Sequence, residues 1–195
     1  VGVNGIWLHV VLRDLAPGGS VFPAFGQDSA RRLANLRTFV ERAARYGIGV
    51  YLYVNEPRAM PHAFFQSRTN LAGVREEQLT AMCTSDASVR KWMSDAFTHI
   101  FTTVPNLAGV YAITASENLT NCASHNKWTQ CDRCKHRSDT DIIAEVVATI
   151  EAGVHRARPD ARVIVSDWGW KGHGDAREII SRLPPSVWLM SVSEW

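Results

Sequence analysis

The stretch GVYAITASENLTNCASHNKWTQCDRC, residues 109–134, joins a candidate strand, an acidic residue and a cluster of possible metal ligands. Residues 110–114 form a β-branched and aromatic run without charge, which is typical of a buried strand in a parallel sheet. Glu117 follows this strand directly. Catalytic groups of parallel α/β folds come from loops at the carboxyl ends of strands, so this position predicts a site residue.

The rest of the chain alternates between strand and helix patterns. Four further strands are predicted, two before and two after the central stretch, at residues 5–11, 48–54, 162–166 and 187–192. Helices are predicted between them from apolar spacings of three and four, at residues 28–45, 86–104, 139–156 and 176–183. Long loops are expected at residues 13–27 and 55–84. Strict alternation predicts parallel strands with right-handed crossovers, in either a doubly wound sheet or a (β/α)₈ barrel.

Two features favour the barrel. No glycine-rich phosphate loop follows any predicted strand, although a nucleotide-binding doubly wound sheet would often require one. Acidic residues also recur at or just beyond all five strand ends: Asp14, Glu56, Glu117, Asp167 and Glu194. Five strands cannot close an eight-stranded barrel. The sequence therefore predicts an α/β fold, a partial (β/α)₈ TIM barrel, in which residues 1–195 are part of a single catalytic domain. We expect the remainder of the same polypeptide to complete it.

Composition limits the classes of partner. With 46% hydrophobic and 21% charged residues the chain has ordinary globular composition, so a packed core is expected. The formal charge of +2 is too small to predict a nucleic-acid or membrane surface. No apolar stretch reaches the roughly 18 residues of a membrane span. We therefore expect neither nucleic acid nor membrane as a partner.

The acids at the strand ends suit glycosidic bond cleavage. A general acid for this reaction needs a carboxyl group kept protonated by apolar or like-charged surroundings, and Glu117 at a barrel mouth is the first candidate. The alternative for Glu117 is a solvated loop acid or a helix cap. Glu194 is the first choice for the second catalytic carboxylate, and Asp167 is the second choice. Glu56, in the sequence Asn-Glu-Pro, is expected to bind substrate rather than to catalyse.

Tryptophans accompany these acids. Sugar rings stack their C–H faces on aromatic rings while carboxylates accept bonds from hydroxyl groups, so the pairing predicts a carbohydrate substrate. The alternative for each of these tryptophans, and for His9 at the end of the first strand, is a structural role in the core instead of contact with a sugar. The predicted substrate-binding residues are His9, Asp14, Glu56, Asn118, Trp168, Trp170 and Trp195.

The cysteines predict a structural zinc site. Cys122, His125, Cys131 and Cys134 form two close pairs with the spacing of a zinc knuckle, and His136 could replace His125. Four such ligands leave no open position, so the metal would brace the loop after Glu117, and no cofactor is expected for catalysis. The alternative is a disulfide among the three cysteines, or with Cys83. A zinc site would indicate that the protein is cytoplasmic. A disulfide would indicate that it is secreted or periplasmic.

The order of elements resembles glycoside hydrolase family 20, the β-hexosaminidases. NGIWLHVVLRDL (4–15) is similar to that family's second barrel strand, and RYGIGVYLYVNEPRAMP (45–61) is similar to its third. GVYAITASEN (109–118) falls where the family has its fourth strand and catalytic Asp-Glu pair. The resemblance implies that Glu117 is the general acid. Ser116 stands where the family has the Asp that orients an acetamido group, and the cysteine cluster is outside the family pattern, which implies a divergent branch.

The sequence thus predicts a glycoside hydrolase that cleaves O-glycosyl bonds, with Glu117 as general acid/base. Two alternatives stay open. One is a noncatalytic carbohydrate-binding barrel, since Ser116 removes half of the catalytic pair. The other is a metal-dependent lyase or isomerase whose strand-end acids hold a divalent cation.

Overall fold

A computed structural model of the chain describes residues 2–191. Its main sheet has five parallel strands in the order β1-β2-β6-β7-β8. They are β1 (Gly5–His9), β2 (Gly49–Val54), β6 (Gly109–Ala112), β7 (Arg162–Ser166) and β8 (Trp188–Met190). Each strand of the main sheet lies beside the main-sheet strand that precedes it in the chain. A doubly wound sheet, in contrast, reverses its strand order at a switch point. The fold is therefore α/β with a five-stranded parallel sheet and alternating helices, consistent with part of a TIM barrel.

The helices lie between the strands as the apolar spacing predicts. They are α1 (Leu12–Leu15), α2 (Ser29–Ala44), α3 (Ala87–Thr103), α4 (Asp139–Ala157) and α5 (Ala176–Ile180). The side chains of Asp86 and Ser138 accept hydrogen bonds from backbone N–H groups in the first turns of α3 and α4, which fixes where these helices begin. At Gly153 an added Cβ would lie 2.5 Å from the Ser94 carbonyl oxygen, so the two helices approach closely there.

The two faces of the main sheet differ. Val50, Leu52 and Val54 are fully buried against the helices. On the other face the register aligns Tyr53 of β2 with Tyr111 of β6, and Trp7 of β1 stacks on Tyr111 with ring centroids 4.2 Å apart. In a TIM barrel this second face lines the interior. The aromatic side chains therefore lie on the face that would line the interior of a barrel.

A second sheet lies where a loop was expected. Residues 55–84 contain β3 (Met60–Pro61), β4 (Ala72–Glu76) and β5 (Leu79–Met82), which pair antiparallel in the order β3-β5-β4. These strands were not predicted within the long loop at residues 55–84, because they are short and carry no regular apolar alternation. The expected loop at residues 13–27 overlaps α1, which ends at Leu15.

The fifth strand was expected to extend to residue 192, and it ends at Met190. Among the described residues, no helix is long and apolar enough to cross a membrane.

Candidate active site and metal centre

Glu117 lies in the loop after β6, at the carboxyl edge of the sheet, and is exposed to solvent. Its Oε2 accepts a hydrogen bond of 2.9 Å from the indole Nε1 of Trp168, which follows β7. The structure therefore brings together two predicted site residues from neighbouring strands. Asn118 is the third member, since its side-chain amide lies 3.4 Å from Oε1 of Glu117.

The electrostatic environment of Glu117 differs from the one that a resting general acid needs. Its own backbone N–H, the hydroxyl of Ser116 and the indole of Trp168 hold the pKa of Glu117 below its ordinary value. A charge on His125 would act in the same direction. The expected apolar or like-charged surroundings are thus replaced by hydrogen-bond donors. The resting Glu117 is a carboxylate at neutral pH.

The backbone beneath Glu117 is held in an unusual conformation. Ala115 has a positive φ of 55°, which costs free energy for a residue with a side chain. Its carbonyl oxygen lies 3.1 Å from Nε2 of the buried His173, whose Nδ1 lies 3.1 Å from Asp139 at the start of α4. An added Cβ at Gly169 would lie 2.9 Å from Cα of Ser116, so the loops after β6 and β7 are in close contact. His173 was not predicted, because a lone histidine in a loop gives no pattern.

Of the two tryptophans in Ser-Asp-Trp-Gly-Trp, one faces the solvent. Trp168 is 41% exposed, in a position to contact a ligand. Trp170 is fully buried, and its Nε1 donates a 3.0 Å hydrogen bond to the Thr114 carbonyl oxygen. The prediction that Trp170 binds substrate was therefore wrong. Its large apolar surface fills the core instead.

Of the two candidates for the second carboxylate, Asp167 lies among the described residues. Asp167 follows β7 and accepts a 2.6 Å hydrogen bond from the hydroxyl of Ser191. Glu194 and Trp195 lie outside the described residues.

Glu56 is buried rather than open to a ligand. Only 2% of the residue is exposed, and its two oxygens accept 2.8 Å bonds from the backbone N–H groups of Leu12 and Arg58. Burial raises the pKa of Glu56 to about 7, against the opposing effect of these two bonds. The expectation that Glu56 contacts substrate does not fit this burial. The side chain instead joins the loop after β1 to the loop after β2.

His9 and Asp14 lie near the same edge. His9, at the end of β1, lies on the same face of the sheet as Tyr53, and its Nε2 is 2.6 Å from Nη2 of Arg58. Asp14 lies in α1, half-buried, on the wall of a cavity between the loops after β1 and β2. Both remain candidates for ligand contact.

Four cysteine sulfurs converge behind the Glu117 loop. The Sγ atoms of Cys83, Cys122, Cys131 and Cys134 all lie within 4.8 Å of one another, and Cys83 is 3.7 Å from both Cys131 and Cys134. Tetrahedral zinc with Zn–S bonds of about 2.3 Å separates its sulfurs by about 3.8 Å, whereas a disulfide requires about 2.05 Å. All four cysteines are free thiols. This arrangement fits a metal site and does not fit the alternative disulfide.

The structure corrects the predicted ligand set at one position. Cys83, directly after β5, occupies the place expected for His125. Nδ1 of His125 instead lies 2.6 Å from Oε2 of Glu76 in β4. The substitute ligand, His136, is exposed and outside the group. Local spacing could not find Cys83, which lies 48 residues from Cys131, although the count of four cysteines was a usable signal.

Groups around the cluster stabilise thiolates. Nε of Arg133 lies 3.4 Å from Sγ of Cys83, and the Ser85 hydroxyl is 3.2 Å from Sγ of Cys134. Hydrogen bonding from Cys122 is the largest cause that lowers the pKa of Cys83, and the same group lowers the pKa of Cys131 to about 6. Hydrogen bonding with Cys131 raises the pKa of Cys122, and against the opposing effect of Cys122 it also raises the pKa of Cys134. Binding of zinc by all four sulfurs would therefore release the protons of Cys122 and Cys134, and four thiolates would form a closed structural site.

The strand-end acids among residues 2–191 do not form a second metal site. Within the part of the chain that the structure describes, the cysteines are the one group of three or more possible ligands that converge on a single space. The metal-dependent lyase or isomerase therefore gains no support from the acids after the strands.

Comparison with known proteins yields structural matches alone. No protein-family model matches the chain, and a search of curated proteins finds no match. Among solved structures, a cold-adapted beta-galactosidase from Rahnella sp. R3 matches with a TM-score of 0.53 and 10% identity. The match covers 96% of this chain and 34% of that chain.

Two further glycosidase structures are similar at lower scores. A xyloglucan-specific endo-beta-1,4-glucanase of family GH5 from a metagenomic library, in complex with cellotriose, has a TM-score of 0.48 and 12% identity over 96% of this chain and 49% of that chain. A quadruple mutant of the alpha-N-acetylgalactosaminidase NagBb from Bifidobacterium bifidum has a TM-score of 0.48 and 12% identity. That match covers 83% of this chain and 29% of that chain. The chain thus spans less than half of each of these proteins. The match to the Rahnella enzyme supports a barrel-type fold. It does not indicate glycoside hydrolase family 20 in particular.

Proposed function

We propose that the chain is the active-site part of a glycoside hydrolase, with Glu117 as the catalytic acid/base. The observation that carries the proposal is the exposed Glu117 carboxylate at the carboxyl edge of the sheet, oriented by the indole N–H of Trp168. The beta-galactosidase fold match supports it as an analogy between folds. Asp167 is the proposed partner carboxylate among the described residues.

The resting carboxylate of Glu117 is the form that takes a proton from water. To act as an acid toward a glycosidic oxygen it must first be protonated. A sugar that displaces the Trp168 indole from Glu117 would remove one of the groups that hold its pKa low. Ligand binding would therefore move Glu117 toward the protonated form that the first step of cleavage needs.

Zinc at the four cysteines would have a structural role at this site. It would fix the loop that carries Glu117 to the small antiparallel sheet, since Cys83 follows β5 and the other three ligands follow Glu117. A closed site of four thiolates has no position for a substrate atom. The cysteines are proposed as positioning residues only.

The test is Glu117→Gln, which keeps the shape of the side chain and removes the transferable proton. We expect hydrolysis of aryl glycosides to fall by at least about 100-fold while sugar binding measured by calorimetry is retained. Glu41→Gln, at an exposed position in α2, is the matched control and should hydrolyse at the wild-type rate. Equal turnover by the Glu117→Gln and wild-type proteins would remove Glu117 from the mechanism. Sugar binding by the wild-type chain without turnover would favour the noncatalytic carbohydrate-binding barrel.

A further inference from the structure

A cavity of about 340 Å³ lies between the loops after β1 and β2, at the same edge of the sheet as Glu117. Its wall on the β1 side includes Asp14 and Gln27, and its wall on the β2 side includes Met60 and Phe64. None of the catalytic residues proposed above lines it. The cavity is therefore a separate feature of the active-site edge.

The walls of this cavity are firmly joined. Nη1 of Arg13 lies 2.8 Å from Sδ of Met60, and the buried Glu56 accepts the backbone N–H of Leu12. Gly26 has a φ of +74°, and an added Cβ there would lie 2.6 Å from the Ala16 carbonyl oxygen. A loop fixed by these contacts presents a largely preformed cavity, as ligand sites usually do.

The lining combines aromatic rings with polar groups that have no protein partner. The half-buried ring of Phe64 stacks on the buried ring of Phe25 with centroids 5.5 Å apart, so Phe64 supplies the accessible apolar face. Around them, the side chains of Asp14, Gln27 and Arg32 make no hydrogen bond or ion pair within residues 2–191. Donors and acceptors are thus available beside an apolar surface. This combination suits the hydroxyl groups and C–H faces of a sugar ring.

The charge of the lining favours an uncharged ligand. The lining includes two arginines, Arg13 and Arg32, and two acids, Asp14 and Asp28, so its formal charges cancel. The volume is near the lower end of the 300–1,000 Å³ that is usual for ligand sites. We propose that this cavity is a binding subsite for one unit of a neutral oligosaccharide.

This inference rests on the proposed function and narrows its substrate class. The strand β1 is two places from β6 in the sheet, which is roughly 10 Å at the usual spacing of parallel strands. One sugar ring does not span that distance. A substrate that contacts both the cavity and Glu117 therefore has at least two units, and monosaccharide derivatives leave the cavity unused.

The test measures affinity by titration calorimetry, on Glu117→Gln protein so that the ligand is not consumed. The probes are cellotriose, xylotriose, mannotriose and triacetylchitotriose, with trigalacturonate as a charged comparison. Arg32→Ala and Gln27→Ala should each weaken binding of the preferred neutral trisaccharide by about tenfold or more. Arg45→Ala, at the opposite end of α2, is the control and should leave the affinity unchanged. Thermal unfolding of each variant checks that it is folded.

Unchanged affinity in both cavity variants would overturn the subsite, as would tighter binding of trigalacturonate or no binding of any neutral trisaccharide. These outcomes are distinct from failure of the proposed function. If the wild-type chain binds a trisaccharide through this cavity but hydrolyses no glycoside, the subsite stands and the hydrolase does not. If it hydrolyses aryl glycosides and the cavity variants bind trisaccharides as the parent does, the hydrolase stands and the subsite does not.

Discussion

The loops after β2 and β6 both begin near a strand-end glutamate, yet they are stabilised in opposite ways. Residues 55–84 fold into a hydrogen-bonded antiparallel sheet, and their glutamate, Glu56, is buried. Residues 113–138 contain no strand, and their glutamate, Glu117, is exposed. The second loop depends on side chains, above all on the cysteines. The strand-end position alone therefore does not decide whether an acid supports the fold or contacts the ligand.

The largest expected effect is the loss of a metal ligand. Purified wild-type protein should carry about one zinc per chain, and Cys83→Ser should lose most of it. Because metal binding contributes to folding, the free energy of unfolding should fall by more than about 4 kcal/mol. Elemental analysis and denaturant titration measure the two effects.

His125→Ala is the matched control for the corrected ligand set. It should keep its zinc, because His125 contacts Glu76 rather than the sulfurs. Zinc lost from the His125→Ala protein but kept by Cys83→Ser would restore the histidine as the fourth ligand. The dependence of the β6 loop on Cys83 would then be wrong.

The next effect concerns Glu56. Burial raises its pKa from the ordinary value of 4.5 to about 7 in the folded protein, so the folded state holds this proton more tightly than the unfolded state. The contribution to stability is fully present below about pH 4.5 and is lost as the pH rises through about 7. The wild-type free energy of unfolding should therefore fall by roughly 3 kcal/mol over that range, relative to Glu56→Gln.

Denaturant titrations of both proteins across this pH range give that difference, in which other titrating groups cancel. Parallel pH curves for the wild type and Glu56→Gln would show that Glu56 does not titrate as a buried group. The contrast with Glu117 would then disappear.

A smaller effect is expected from crowding the cysteine cluster. At Gly73, in β4, an added Cβ would lie 2.4 Å from Sγ of Cys122. Gly73→Ala should therefore destabilise the protein by about 1–3 kcal/mol and weaken zinc retention against a chelator. Gly172→Ala, where an added Cβ has nothing within 4 Å, should change stability by less than about 0.5 kcal/mol. Equal effects of the two changes would argue against close packing at the cluster.

The smallest effect is electrostatic. Trp168→Phe removes the indole N–H that contacts Glu117, so the pKa of Glu117 should move up toward its ordinary value. Carboxyl ¹³C chemical shifts recorded during a pH titration measure this directly. Trp7→Phe keeps an aromatic ring on Tyr111 and should leave the titration of Glu117 unchanged. A Glu117 pKa that is the same in the Trp168→Phe and wild-type proteins would show that the indole does not hold the carboxylate.

The sequence predicted the main sheet better than the site. The strand at residues 162–166 was predicted with its observed bounds, because a β-branched run next to a helix leaves little choice. The small sheet was missed because the pairing of Met60–Pro61 with Leu79–Met82 is set by tertiary contacts and not by local pattern. Cys83 and Trp170 show the same limit, since the partner of a sulfur and the depth of an indole depend on residues distant in sequence.

The ligands of the cysteine cluster are spread over 51 residues, from Cys83 to Cys134. At synthesis rates of about 5–20 residues per second, roughly 3–10 s separate the emergence of the first thiol from that of the last. The metal cannot guide the early stages of assembly, because its last ligand is made after α3 and β6. The apolar packing of that segment must therefore position Cys83 first. Zinc would stabilise the assembled site at a late stage of folding.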